Sequence, residues 1–235
     1  MADLHLGIEH ELYESGIIIP PQTKKFKKII IDLIRTTQAK TLVILGDVKH
    51  EVPGMSYREM KEIPKLFKSL IGRVVVHITL GNHDSFLKKL LHKGAKIHSS
   101  SGFKIGRYGF FHGHAWPSKE LMKCDYLFMG HLHPTFQLKD KFGYTIIEPV
   151  LVRSEIYHDK VRKRYKISKI GRLKVIIIPA FNRLLGGTSV NVKKASDKLL
   201  GPLLKGNFID IDDAELYLLD GTYLGKISAL ANYFT

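Results

Sequence analysis

Four short apolar runs in this chain each end in a loop of glycine with histidine, aspartate or asparagine. Val74-Val75-Val76-His77-Ile78-Thr79-Leu80 leads into Gly81-Asn82-His83-Asp84. Thr41 to Leu45 leads into Gly46-Asp47, Phe110-Phe111 into His112-Gly113-His114, and Tyr126 to Met129 into Gly130-His131-Leu132-His133. Short β-branched or aromatic runs of this kind read as buried strands. In open α/β sheets, sites form just outside the carboxyl ends of the strands. Four strands that bring such side chains to one rim describe a single polynuclear metal site.

The bulk composition narrows the setting. The 235 residues suit one domain over 1–235, with ligand motifs in 3–133 and a strand-rich part in 134–235. A hydrophobic content of 44% is enough for a core and excludes a disordered chain. Cys124 is the sole cysteine, so no internal disulfide forms; it reads as filler near a buried strand. No apolar run reaches membrane-spanning length and no signal peptide precedes the first motif, so a cytoplasmic protein without a membrane partner is expected. The formal charge of +15 favours a polyanionic partner such as nucleic acid, with a lysine-rich solubilising surface as the alternative.

In chain order, 22–39 is expected to be a helix with Phe26, Ile30, Leu33 and Ile34 on one face. Ser56 and Glu59 make a capping-box pattern before a helix to about Ile71, which Pro64 could kink or split. A short helix is expected over 85–93, stopped at Gly94, and a hairpin over 103–111. Strands are expected at 135–138, 144–152, 161–169, 174–178, 215–219 and 224–228, with turns at 140–143, 170–172 and Gly221. Residues 182–191 read as a loop. The fold class is α/β: a two-layer β-sandwich flanked by helices, with the metal site at strand carboxyl ends.

Taken singly, each motif has an ordinary structural explanation, such as a turn after a strand or a core histidine. Taken together, Asp3-x-His5, Gly46-Asp47-x-x-His50, Gly81-Asn82-His83-Asp84, His112-Gly113-His114 and Gly130-His131-x-His133 are a specific set. This set resembles the calcineurin-like metallophosphoesterase superfamily over Asp3 to His133. The variants DLHLG, GDVKH followed by Glu51, HGHAWP and GHLHP are similar to those of archaeal SbcD-related phosphoesterases and bacterial ligase-associated PdeM enzymes. The segment PAFNRLLGG, Pro179 to Gly187, resembles the same subgroup less specifically. The resemblance implies an αββα fold. It implies one metal on Asp3, His5 and His133, a second on Asn82, His112 and His131, and Asp47 bridging both. It further implies that His83 faces the phosphate as a catalytic group with Asp84 orienting its ring. His50 stands where much of the superfamily has aspartate and reads as lying behind the ligands or facing substrate. His114 has the same two alternatives, and Trp116 borders the site or belongs to the core. His10, His77, His92, His98 and His158 read as structural or solvated.

Two divalent ions about 3.5–4 Å apart clamp a phosphoryl group and yield a nucleophile from water at neutral pH. A protonated His83 can pass a proton to the leaving alkoxide. Oxygen and imidazole donors without thiolate suit Mn²⁺, Fe, Co, Ni or Zn²⁺; the resemblance puts Mn²⁺ first. The densest basic stretch lies between Arg153 and Lys174. As a strand it would align Arg162, Arg164 and Lys166 on one side, either as a track for single-stranded DNA or RNA or as a charged, protected edge. Tyr157 and Tyr165 could stack bases or pack. Three functions fit: a nucleic-acid phosphodiesterase, a small-molecule phosphatase or cyclic phosphodiesterase, and a non-catalytic interaction protein on this scaffold. The last ranks lowest because every matched position is filled. Finally, only Met1-Ala2 precede Asp3, too few for a strand. The first strand is therefore expected to be missing, leaving Asp3 and His5 mobile, their metal weakly held, and a sheet edge open to a homodimer.

Overall fold

The computed structural model describes residues 1–91, 94–139, 141–192 and 201–230. The first sheet has three parallel strands, β1 (Thr41–Leu45), β2 (Val75–Thr79) and β3 (Ala95–His98), paired in that order. Helix α1 (Ile8–Glu14) precedes α2 (Thr23–Thr37) and α3 (Tyr57–Leu70), which cover one face of this sheet. Phe26 and Ile30 of α2 are four residues apart and therefore share a helical face. They pack with Ile63, Leu66 and Phe67 of α3 and with Ile44, Val76 and Ile78 of the strands. Leu33, expected on the same face, lies farther round and is half exposed. The capping box forms as the spacing requires: Glu59 N donates to Ser56 Oγ at 3.2 Å and Ser56 N to Glu59 Oε2 at 2.6 Å. Helix α3 continues through Pro64, held by the buried residues around it.

The second sheet contains β4 (Phe103–Ile105), β5 (Tyr108–Phe110), β6 (Tyr126–Met129), β7 (Pro134–Lys139), β8 (Thr145–Glu155), β9 (Lys174–Ile177) and β10 (Thr188–Ser189). Their spatial order is β10-β7-β8-β9-β6-β5-β4, and β11 (Glu215–Leu218) joins β8 to β12 (Tyr223–Lys226). Strands β5, β6 and β9 are parallel to one another, and β8 runs antiparallel to β7, β9 and β11. The inward face of this sheet, with Leu127, Met129, Val152, Val175 and Ile177, builds a second buried cluster that also takes in Cys124. The two sheets meet where His77 of β2 and His98 of β3 stack on Phe103 of β4. The fold is thus mixed α/β with two sheets flanked by helices. No helix among the described residues is long and apolar enough to cross a membrane.

Several expected elements differ. The clearest is 161–169, which is not a strand. Helix α4 (Leu87–Leu90) is followed in the chain by α5 (His158–Tyr165), and Lys166 ends α5 in the left-handed region at φ 51. Basic and apolar residues do alternate over 161–167, but a half-buried strand needs every second residue inside. Here Val161 is buried and Tyr165 packs four residues on, which is helical spacing, while Lys163 is exposed. Lysine and arginine are also good helix formers. Arg162, Arg164 and Lys166 therefore share no strand face. Arg162 bonds Asp159 at 3.2 Å, and Arg164 lies over the Trp116 ring, 3.3 Å from its centre. Strand β12 ends at Lys226 and gives way to a helical turn, so the expected strand to Ser228 is shorter. Helix α1 was not expected. Of the helix expected over 85–93, only Leu87–Leu90 is helical; His92 and Lys93, like Asp140 of the turn expected at 140–143, lie outside the described residues.

The segment before α1 is also not loose. Leu45 N donates to Met1 O at 2.9 Å, Asp3 N to Gly46 O at 3.2 Å, His5 N to Asp47 O at 2.8 Å and Leu6 N to Val48 O at 2.9 Å. Residues 1–6 thus lie alongside β1 and its loop with their backbone groups paired, and Asp3 and His5 are buried. Leu4, between them, is fully buried in the first cluster. We therefore expect Leu4→Ala to destabilise the metal-free protein by about 2–5 kcal/mol. Denaturant unfolding with and without divalent ions checks this. The ions should restore part of the loss, because they bind only the folded site.

Candidate metal centre

The donor atoms of Asp3, His5 and His133 converge within 4.8 Å of one another, and so do those of Asp47, His112 and His131. Asp47 Oδ2 is 3.3 Å from His5 Nε2 and 3.3 Å from His112 Nε2, which places this carboxylate between the two groups. Asn82 Oδ1 joins the second group, 3.2 Å from His112 Nε2. All seven residues expected as ligands are therefore brought to one rim. The local backbone explains how. Asp3, His5, Asp47, His131 and His133 all have positive φ, between 41° and 69°. Such residues are uncommon away from glycine and cost conformational energy, and they concentrate at functional sites. The neighbouring glycines permit the close approach: a Cβ on Gly81 would overlap Asp47 Oδ1, and one on Gly46 would overlap the His112 ring.

The outer nitrogen is already engaged in three of the four ligand rings, those of His5, His112 and His133. His112 Nδ1 lies 2.6 Å from Leu45 O and His133 Nδ1 3.3 Å from Gly186 O. A carbonyl can only accept, so each Nδ1 carries the hydrogen and Nε2 faces inward. His5 is held by a longer chain: its Nδ1 is 3.0 Å from His50 Nδ1, and His50 Nε2 is 2.5 Å from Glu11 Oε2. The Glu11 carboxylate fixes the hydrogen on His50 Nε2, His50 Nδ1 then accepts from His5, and His5 Nε2 is left as a lone pair. That nitrogen is buried and has no hydrogen-bond partner, despite its 3.3 Å approach to Asp47. Buried lone pairs without donors are rare, and one ringed by carboxylates and imidazoles fits a cation. Asp3, His5, His133 and Asp47 would hold one ion; Asp47, Asn82, His112 and His131 the other.

The electrostatics agree. Burial alone would raise the Asp47 carboxyl, but its contact with His112, together with the neighbouring His5 ring, outweighs that and holds it well below the usual carboxylate range. Burial would lower His112, yet its contact with Asp47 wins and lifts it to about 9. Burial, reinforced by His112, pushes His131 and His114 down to about 4. The His131 and His114 rings therefore favour the neutral form, whereas Asp47 favours a proton on metal-free His112 that a bound ion would displace.

His83 lies beside this centre with its ring 4.6 Å from that of His5. A third convergence, of His5, His50 and His83, is a hydrogen-bonded arrangement: His83 Nδ1 lies 2.5 Å from His50 O. This corrects the role expected for Asp84. That carboxylate does not touch the His83 ring. Its Oδ1 accepts from Val48 N and Lys49 N, and its Oδ2 from Gly81 N, so it ties the two ligand loops together. Burial and then Asp47 push it up to about 6. The group that orients His83 is the His50 carbonyl, and Glu59 sets that in turn. Glu59 Oε1 accepts from His50 N and Glu51 N at 2.8 Å each. Sequence reasoning saw Glu59 only as a helix cap and overlooked Glu11 altogether; the capping box was the visible signal for the first, and an unassigned α1 hid the second. His50 lies behind His5 rather than among the ligands. His114 sits beside His112 and His131 with a buried, unpartnered Nδ1. Trp116 packs against the second core cluster, edge-on to Phe208 and covered by Arg164.

Two outcomes follow. Asp47→Ala should abolish paired binding, leaving at most one weak ion by calorimetric titration. Glu59→Gln should retain both ions but place an amide N–H against backbone N–H donors. It should cost about 1–3 kcal/mol of stability, and turnover should fall through displacement of the His50 carbonyl. Unaltered turnover in a folded Glu59→Gln protein would show that His83 is held without it.

A family model of the calcineurin-like phosphoesterase matches residues 1–167. Among solved structures, the fold is similar to Pseudomonas putida nuclease MPE, with a TM-score of 0.52, 16% identity, and coverage of 93% of this chain and 81% of that one. At that identity the likeness is one of fold. Yfce, a phosphoesterase from E. coli, overlaps 48% of this chain and 66% of its own, with 24% identity and a TM-score of 0.35. No curated protein matches the sequence. The match over residues 1–167, which contain every proposed ligand, means that this chain belongs to the calcineurin-like phosphoesterase family.

Proposed function

We propose that the chain is a phosphodiesterase that cleaves nucleic acid, single-stranded DNA or RNA, with a pair of Mn²⁺ ions. The observation that carries this is the Asp47 carboxylate set between two converging donor groups, with His83 alongside. When bound, the ions supply Lewis acidity and a nucleophile from water at neutral pH. The chain's own part is orientation and proton handling. His83 Nδ1 is committed to His50 O, so Nε2 is the atom left to face the phosphate and hold a proton for the leaving alkoxide. Asn82 is exposed and His83 half-buried, so a substrate can reach them. The net charge of +15 supports a polyanionic substrate, and a nuclease is known on this fold.

A second reading, a small-molecule phosphoesterase, gains from one finding. The basic residues expected along one side of a strand instead lie on α5 and at its C-terminal end, and Arg162 and Arg164 are already partnered. Salt separates the two: only a polyanion gives binding that weakens steeply with ionic strength, through counterion release.

We expect diesterase activity that EDTA abolishes and Mn²⁺ restores; activity surviving in metal-stripped protein would refute the dinuclear mechanism. His83→Asn should keep both ions while turnover falls roughly 10²–10⁴-fold, least with a good leaving group. Loss of an ion in that variant would move His83 into the ligand set.

A further inference from the structure

A cleft of about 410 Å³ opens beside the metal centre and shares His133 with it. We propose that this cleft is the subsite for the nucleotide flanking the scissile phosphate, with its base on the apolar wall and its next phosphate on Arg183. The proposal rests on the nucleic-acid reading above. The wall is formed by Ile147 and Pro149 of β8 with Pro179 and Leu185 from the following segment. Ile147 is 56% exposed. An apolar side chain left in water beside a reaction centre has a use if a ligand covers it.

Arg183 supplies the charge. It is exposed, and the nearest carboxylate, Glu148, stands 3.9 Å away, a loose pair at the limit of contact. Its planar fork suits phosphate oxygens. Its position is fixed by its neighbours. Asn182 is buried, receives Leu184 N on Oδ1 at 3.0 Å, and donates Nδ2 to Leu4 O at 2.9 Å, between the ligands Asp3 and His5. Gly186 O takes His133 Nδ1, and Thr188 N donates to His133 O at 3.0 Å. A Cβ on Gly187 would overlap His133 O, which is why the segment can close on the ligand loop. Arg183 thus hangs between two anchors, each bonded to a metal-ligand loop. A phosphomonoester offers nothing to this wall or this cation. A nucleotide chain offers a flat base and a second phosphate in series, as single-strand binders require.

The test compares a single-stranded oligothymidylate with p-nitrophenyl methyl phosphate, whose methyl group has no base to place on the wall. Both enzyme variants alter exposed side chains, and thermal melting confirms the fold. Arg183→Ala should raise KM for the oligonucleotide about tenfold, the loss of one charge-assisted contact, and reduce the salt slope of binding by about 1. Ile147→Ser should raise the same KM about threefold to tenfold and leave the slope unchanged. Hydrolysis of the small diester should stay within about twofold in both, on the same scale. Unchanged oligonucleotide KM in both variants, or equal losses on both substrates, overturns the subsite. Wild-type enzyme that turns over the small diester but no oligonucleotide refutes the nucleic-acid reading itself, and the subsite falls with it.

Discussion

The Asp47 carboxylate is the constraint on which the rest of the site depends. Its Oδ1 accepts the His83 backbone N–H at 2.9 Å, and its Oδ2 faces His5 and His112. One residue at the end of β1 therefore meets the loop after β2, the segment alongside β1 and the loop after β5. A left-handed turn at Asp47 and the absence of a Cβ at Gly81 make this possible. The cost is a buried carboxylate among imidazoles and other carboxylates, which divalent charge relieves. Strain and burial of this kind persist only where the surrounding structure enforces them, and here two packed sheets do so.

Around that carboxylate, support is arranged in tiers. Backbone carbonyls of Leu45, Gly186 and His50 orient His112, His133 and His83. Behind them, Glu59 grips the loop that carries the His50 carbonyl, and Asp84 joins that loop to Gly81. Both acids are buried. Their oxygens accept mainly from backbone N–H groups, which ties the ligand loops to one another through the chain's own hydrogen bonds. The first turn of α3 thereby becomes part of the reaction geometry, although it contributes no atom to the centre.

Most of the centre was legible because Asp47, Asn82, His131 and His133 follow an apolar run and a glycine, and His112 follows an apolar run directly, a signal carried by adjacent residues; Asp3 and His5 were legible only through the resemblance of the whole motif set. The parallel strands β1 and β2 and the hairpin of β4 and β5 were legible for the same reason, since alternation and turn residues are local. What escaped were assignments settled by distant partners. Residues 161–167 alternate like a strand, and only the burial of Val161 against the second cluster, together with Arg164 on Trp116, decides for a helix. The role of Asp84 escaped likewise: the resemblance implied a contact with the His83 ring, but the carboxylate meets the backbone of Val48, 36 residues earlier. Residues 1–6 looked too short to be ordered because their backbone partners lie in the β1 region, across more than 40 residues of sequence.

The dispersal of the basic side chains also changes where recognition has to reside. A ribbon of aligned cations would bind any phosphate chain wherever the strand runs, independently of the metal centre. With Arg162 and Arg164 turned to Asp159 and Trp116, general charge would steer the proposed polyanionic substrate to the molecule but would not fix one phosphate at the metal centre. Placement needs contacts rigidly tied to the ligands. Among the described residues, the 179–187 segment has that property through Asn182 and Gly186. Since Asn182 bonds the backbone between Asp3 and His5, a shift of the cleft wall would move the ligands themselves. If the proposed subsite holds the substrate, its placement and the metal geometry form one mechanical unit, to which steering by net charge would add a separate, salt-sensitive contribution.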